Sequence, residues 1–119
     1  MKGVRAELEM VRRLIERIRT TVQTRTFEQF EADRDPLDAV AYRLAMIGEH
    51  CRRPPPELQE RHPDIPWRAM SGLRNIVSHA YDLVDAGIIW RTAKDHLDKL
   101  ENMCREELAV RDASTRKRS

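Results

Sequence analysis

All six prolines of this chain fall between residues 36 and 66. A proline inside a helix removes a backbone donor and clashes with the preceding turn. The proline-free stretches on either side are therefore where long helices can form. In the first stretch, Val4, Leu8, Val11, Leu14 or Ile15, Ile18 and Val22 recur at three- and four-residue steps, the apolar stripe of a helix from about Lys2 to Val22. In the last, Ile89, Ala93, Leu97, Leu100, Cys104 and Leu108 form a sustained seam, which places a helix from a cap near Asp85 to about Val110. No alternating strand pattern competes.

The prolines delimit what lies between. Asp35 suits an N-cap and Pro36 the first helical position, with Asp38 at the positive end of the dipole. The helix they open runs through Val40, Leu44, Ile47 and Cys51, and Pro54-Pro55-Pro56 ends it. Ala39, Ala41, Ala45 and Gly48 are small, so a neighbour can approach this helix closely. Phe27 and Phe30 read as a short apolar turn packed back on the core, and Glu57 to Arg61 as one loose turn. Pro66 opens a further helix whose apolar face is Trp67, Met70, Leu73, Ile76 and Val77. The expected architecture is all-α, a bundle of four to five helices with one longer connection between the second and third.

At 119 residues the chain has the size of one domain. Residues 1–110 form the expected helical domain. Residues 111–119, with Arg111, Arg116, Lys117 and Arg118 against Asp112, form a basic tail expected to be disordered. The net charge is only +2, so binding to nucleic acid requires a local patch rather than a global field. Cys51 and Cys104 both fall on expected helices and read as buried free thiols. No apolar run is long enough to span a bilayer, and Met1 is followed by a charged helix, so no membrane association is expected and a cytoplasmic location is.

The chemistry concentrates in Arg74-Asn75-Ile76-Val77-Ser78-His79-Ala80-Tyr81. Arginine holds phosphate with a fork of N–H donors, and histidine exchanges protons near neutral pH. On a regular helix Asn75 and His79 share one face while Arg74 and Tyr81 share another, because each residue turns the helix by about 100°. One straight helix does not converge the four groups. Either the arginine arm wraps round, or the helix is distorted, or the site is completed from outside, as a second copy across a two-fold axis would do. Taken singly, each residue has a plain structural reading. His79 can be a hydrogen-bonded helix histidine, Arg74 an ion-paired surface residue facing Asp82 or Glu49, and Tyr81 a half-buried ring closing the helix. His50, His62 and His96 are scattered and lack the spacing of a zinc site.

The stretch from Pro63-Asp64-Ile65-Pro66-Trp67 to Leu73-Arg74-Asn75-Ile76-Val77-Ser78-His79-Ala80-Tyr81 resembles the HepT-type toxins of the HEPN superfamily, whose motif reads Arg-x4-His-x-Tyr. Ile47-Gly48-Glu49 is similar to the Ile-Gly-Glu of that family's second helix, and Val84-Asp85 to Trp90 follows the motif as it does there. The likeness covers roughly residues 4 to 108.

The resemblance implies a HEPN-type bundle acting as a two-fold homodimer, with the motifs facing each other across a cleft. It implies a metal-independent RNA endonuclease, without cofactor, in which Arg74 and His79 are the catalytic pair. Asn75 matches the polar residue beside the arginine and would position the phosphate or the histidine. Glu49 could orient Arg74 or simply be a solvated glutamate. Tyr81 matches the tyrosine that receives AMP in several members from a cognate minimal nucleotidyltransferase antitoxin. The expected partners are RNA, that antitoxin and a second copy of the chain. Two other readings remain: a non-catalytic helical partner of a nucleotidyltransferase that binds nucleotide or RNA, and a bare dimeric bundle without chemistry.

Overall fold

The computed structural model describes residues 3–76 and 85–118, and the side chains among them up to residue 113. Among these residues the secondary structure is helical, with no strand. Helix α1 spans Val4–Gln23, α2 Phe27–Ala32, α3 Arg34–His50, α4 Pro56–Arg61 and α5 Trp67–Gly72. A 3-10 turn follows at Leu73–Asn75, then α6 at Ala86–Asp95 and α7 at Asp98–Arg118. None of these helices is long and apolar enough to cross a membrane.

The apolar stripe of α1 is the spine of the core. Leu8, Val11, Ile15, Ile18 and Val22 are all buried, against α3 on one side and α7 on the other. Phe30, Leu44, Ile47, Ile89, Leu97 and Leu100 close around them. Trp90 of α6 stacks beside both phenylalanines, edge-on to Phe27 at 5.8 Å and tilted against Phe30 at 5.2 Å between ring centres. Such pairs contribute roughly 0.5–1.5 kcal/mol each beyond the area they bury.

Several boundaries differ from expectation for local reasons. Phe27 and Phe30 belong to a helix rather than a turn. Thr26 and Gln29 form a reciprocal capping box: the Gln29 N–H donates to Thr26 Oγ1 at 3.1 Å and the Thr26 N–H to Gln29 Oε1 at 2.9 Å. Helix α3 starts earlier than Asp35 because Asp33 is its N-cap, accepting from the Asp35 N–H at 3.1 Å. Pro36 still lies in the first turn, where its missing N–H leaves no bond unmade. The helix ends at His50, ahead of the prolines, and Glu57–Arg61 are part of a helix that begins at Pro56.

The last helix is two. Asp85 caps α6 as expected, its Oδ1 accepting from the Gly87 N–H at 3.0 Å. The helix then stops at Asp95 and α7 starts at Asp98. Asp95, His96 and Asp98 are weak helix formers. Asp98 and Glu101 then occupy the positive end of α7, where both pair with Arg19 of α1. Buried Ile89, Ala93, Leu97, Leu100, Cys104 and Leu108 run straight across the break, so the periodicity conceals it. Helix α7 also continues beyond Val110 to Arg118. No Gly or Pro interrupts that segment, and Asp112 pairs with Arg5 of α1.

Cys51 and Cys104 are free and buried, and burial pushes both thiols up to about 12.

Candidate active site

Arg74 and Asn75 sit on the 3-10 turn, and both side chains are exposed. A 3-10 turn advances about 120° per residue against about 100° for an α-helix, so side-chain directions change where α5 tightens. Of the three ways to reconcile the octapeptide's geometry, helix distortion is present at Arg74 itself. His79 and Tyr81 lie outside the described residues, with the rest of the octapeptide after Ile76.

The turn is held from behind by α3. A Cβ built on Gly48 would stand 2.4 Å from the Arg74 nitrogen, 3.0 Å from the Leu73 carbonyl carbon and 3.1 Å from the Arg74 Cα. Only a residue without a side chain permits this approach. Ile47, next to it, is fully buried and fixes the helix to the core, while buried Met70 and Ile76 flank the Arg74 segment in sequence. The Ile47-Gly48-Glu49 triplet is thus an anchor, a contact point and an exposed carboxylate. That carboxylate pairs with Arg52 at 3.3 Å, and no ion pair joins it to Arg74. Among the described residues no carboxylate lies within ion-pair distance of Arg74. The side chain is exposed, as an anion-binding guanidinium requires.

His50 and His62 are engaged elsewhere. His50 Nδ1 pairs with Glu7 across α3 and α1. His62 Nε2 lies 2.7 Å from Glu107 Oε2. Glu107 is nearly buried and also accepts from Arg61, Nη2 at 2.6 Å and Nε at 3.0 Å. The Arg61 guanidinium and His62 hold its carboxyl down at about 2, against the opposing pull of burial. This network ties the connection after α4 to α7. A cavity of about 470 Å³ lies between α1, the end of α3 and α7, floored by Cys51, Cys104 and Met103 with His50 and Glu7 at its rim; Arg74 is not among its walls. Among the described residues no group of three or more His, Cys, Asp or Glu side chains is placed to share a metal ion.

Two features here escape periodicity. The tightening at Leu73–Asn75 has only Gly72, a poor helix former, as a forewarning. Which neighbour Gly48 admits is a tertiary fact; the small side chain alone says only that something approaches.

The family model described as Ribonuclease HepT-like matches residues 11–107. The chain is 35% identical over 94 residues to a protein named "Probable ribonuclease HepT" of Thermococcus cleftensis, covering 79% of this chain and 86% of that one. It is 32% identical over 108 residues to "Putative RNase TTE0752" of Caldanaerobacter subterraneus subsp. tengcongensis, covering 91% and 96% of the two chains. No solved structure matches significantly.

Proposed function

The chain belongs to the HepT-like ribonuclease family, and on that premise we propose that it is a metal-independent RNA endonuclease acting as the toxin of a toxin–antitoxin pair. The observation that carries this reading is Arg74: exposed, without a carboxylate partner among the described residues, and seated on a turn that Gly48 fixes from behind. Arg12, Arg19, Arg52 and Arg61, by contrast, are held in ion pairs.

In the proposed reaction the ribose 2′-OH attacks the adjacent phosphorus. His79 takes the proton from that hydroxyl, or delivers one to the departing 5′ oxygen. Arg74 neutralises the charge growing on the phosphorane. The 5′ oxygen leaves with a proton, giving a 2′,3′-cyclic phosphate and a free 5′-OH. Asn75 would orient the phosphate or the histidine. The active unit is a homodimer with the two motifs across a cleft. Tyr42, 60% exposed on α3, and half-buried Met46 one turn further toward Gly48 form an apolar strip suited to a second copy. A nucleotidyltransferase antitoxin would silence the site by adding AMP to Tyr81, bringing bulk and negative charge to the motif.

The test is cleavage of RNA in EDTA by the wild type, Arg74→Ala and His79→Ala. The reading requires loss of cleavage in both variants with folding retained. Undiminished cleavage by both would sink it. Binding of RNA without cleavage by the wild type would favour the non-catalytic alternative.

A further inference from the structure

We propose that a cleft between α1 and α3, separate from the Arg74 turn, binds the sugar-phosphate backbone of single-stranded RNA beyond the point of cleavage. Arg13, Glu16, Arg17, Thr20, Thr21 and Arg43 line a volume of about 400 Å³. Several arginines of α1 are neutralised. Arg12 pairs with Glu16 at 3.3 Å, Arg19 with Asp98 and Glu101, and Arg5 with Asp112 and Glu9. Arg13, Arg17 and Arg43 differ: among the described residues none has a carboxylate within ion-pair distance. Among the described residues the only acidic side chain of the cleft, Glu16, is thus engaged by an arginine that does not line it.

The arrangement has the geometry of a strand-tracking site. Arg13 and Arg17 are exposed on successive turns of α1, about 6 Å apart along its axis, comparable to the spacing of successive phosphates along a single strand. Arg43 reaches across from α3 and is held half-buried, its Nη1 donating to Thr21 Oγ1 at 3.3 Å, which leaves most of its fork for a ligand. The Thr20 and Thr21 hydroxyls donate back to the carbonyls of Glu16 and Arg17, both at 3.0 Å, which fixes the polar floor. Arg25 donates to the Thr21 carbonyl at 2.9 Å and adds positive charge at the end of the same helix. Among the described residues no aromatic ring lines the cleft, so the contact proposed is with the backbone.

Its position suits an RNA already held at Arg74. Arg43 lies five residues before Gly48 on α3, about 7.5 Å along the axis and on a different face. A few nucleotides of strand bridge the two. The choice of RNA over an acidic protein surface rests on the ribonuclease assignment, since that substrate must be held along its length.

The experiment uses the full chain with Arg13→Gln and Arg17→Gln together. Both side chains are exposed and make no hydrogen bond among the described residues, so the variant should melt with the wild type. The probe is a fluorescein-labelled 2′-O-methyl oligoribonucleotide, which lacks the attacking hydroxyl and so reports binding apart from chemistry. Titrations from about 50 to 200 mM salt should show affinity reduced roughly 10-fold or more, and a salt slope shallower by about 1.4 for two lost phosphate contacts. Cleavage of a dinucleotide should be unchanged while kcat/KM on a long RNA falls. Unchanged affinity and salt slope would overturn the proposal. So would loss of binding to polyglutamate with RNA binding intact, which would assign the cleft to an acidic protein. Absence of any cleavage by the wild type would count against the endonuclease reading, and the binding titrations would still decide the cleft.

Discussion

The backbone nitrogen of Arg74 lies so close to Gly48 that a Cβ on that glycine would stand 2.4 Å away. Replacing Gly by Ala inside a helix ordinarily stabilises it by about 1 kcal/mol. Here the new methyl meets backbone, which yields only if α3 and the turn separate, and overpacking of this kind costs about 1–3 kcal/mol. The clash should win. Gly48→Ala is expected to lower the melting temperature and to reduce RNA cleavage by displacing Arg74. A variant that melts at or above the wild-type temperature would show that the approach is looser than described.

Arg74 itself should matter for activity and not for folding. It is exposed and forms no ion pair among the described residues, so Arg74→Ala should change stability by no more than about 0.5 kcal/mol. If it stabilises charge in the transition state, its loss should cost about 10²–10³ in kcat. Arg74→Lys should recover only part of that, because an ammonium lacks the planar fork. Thermal melts and cleavage rates on the same three proteins separate the two effects. A large fall in stability with Arg74→Ala would mark the side chain as structural.

Glu107 gives a pH signature. Its carboxyl is held at about 2, below the ordinary glutamate value, by Arg61 and His62. A depressed carboxylate contributes stability that is fully present above the unfolded-state value, and that stability is lost as pH falls toward the folded value. The window is therefore from about 4.3 down to about 2. Arg61 is half-exposed, so solvent screening reduces the contribution, and about 2 kcal/mol is a fair expectation. Glu107→Gln should be less stable at neutral pH and show a flatter melting profile across that window. Parallel profiles for variant and wild type would remove Glu107 from the account.

The two thiols should be silent until the fold opens. Burial pushes Cys51 and Cys104 up to about 12, so almost no thiolate exists at pH 8. Iodoacetamide should leave the native protein unmodified over a time in which the denaturant-unfolded chain takes two equivalents, read by mass spectrometry. Prompt labelling of the native form would mean that the floor of the cavity beside them is open to solvent.

Much of this was legible in the residues. The stripe of α1 is buried where its spacing placed it, Asp85 caps α6, and Gly48 is small because something does approach it. What escaped did so for physical reasons. The capping box at Thr26 and Gln29 is a local signal that was present but masked by the brevity of the segment. The break at His96 and Leu97 leaves the apolar seam unbroken, so periodicity passes over it. The 3-10 tightening at Arg74 depends on what α3 presses against it. That Arg13, Arg17 and Arg43 have no carboxylate partner among the described residues appears only when α1 and α3 are laid side by side, because a one-dimensional charge count spreads Glu9 and Glu16 evenly over all the arginines nearby.

Helix α5 has six residues, fewer than a helix needs to persist by itself in water. The order of the Arg74 turn is therefore on loan from α3. In hydrogen-exchange terms, opening of the last turns of α3 should carry the turn with it, with no state in which α3 opens near Gly48 while the arginine segment stays ordered. A partner that gripped α3 near Gly48 would thereby govern the arginine without touching it.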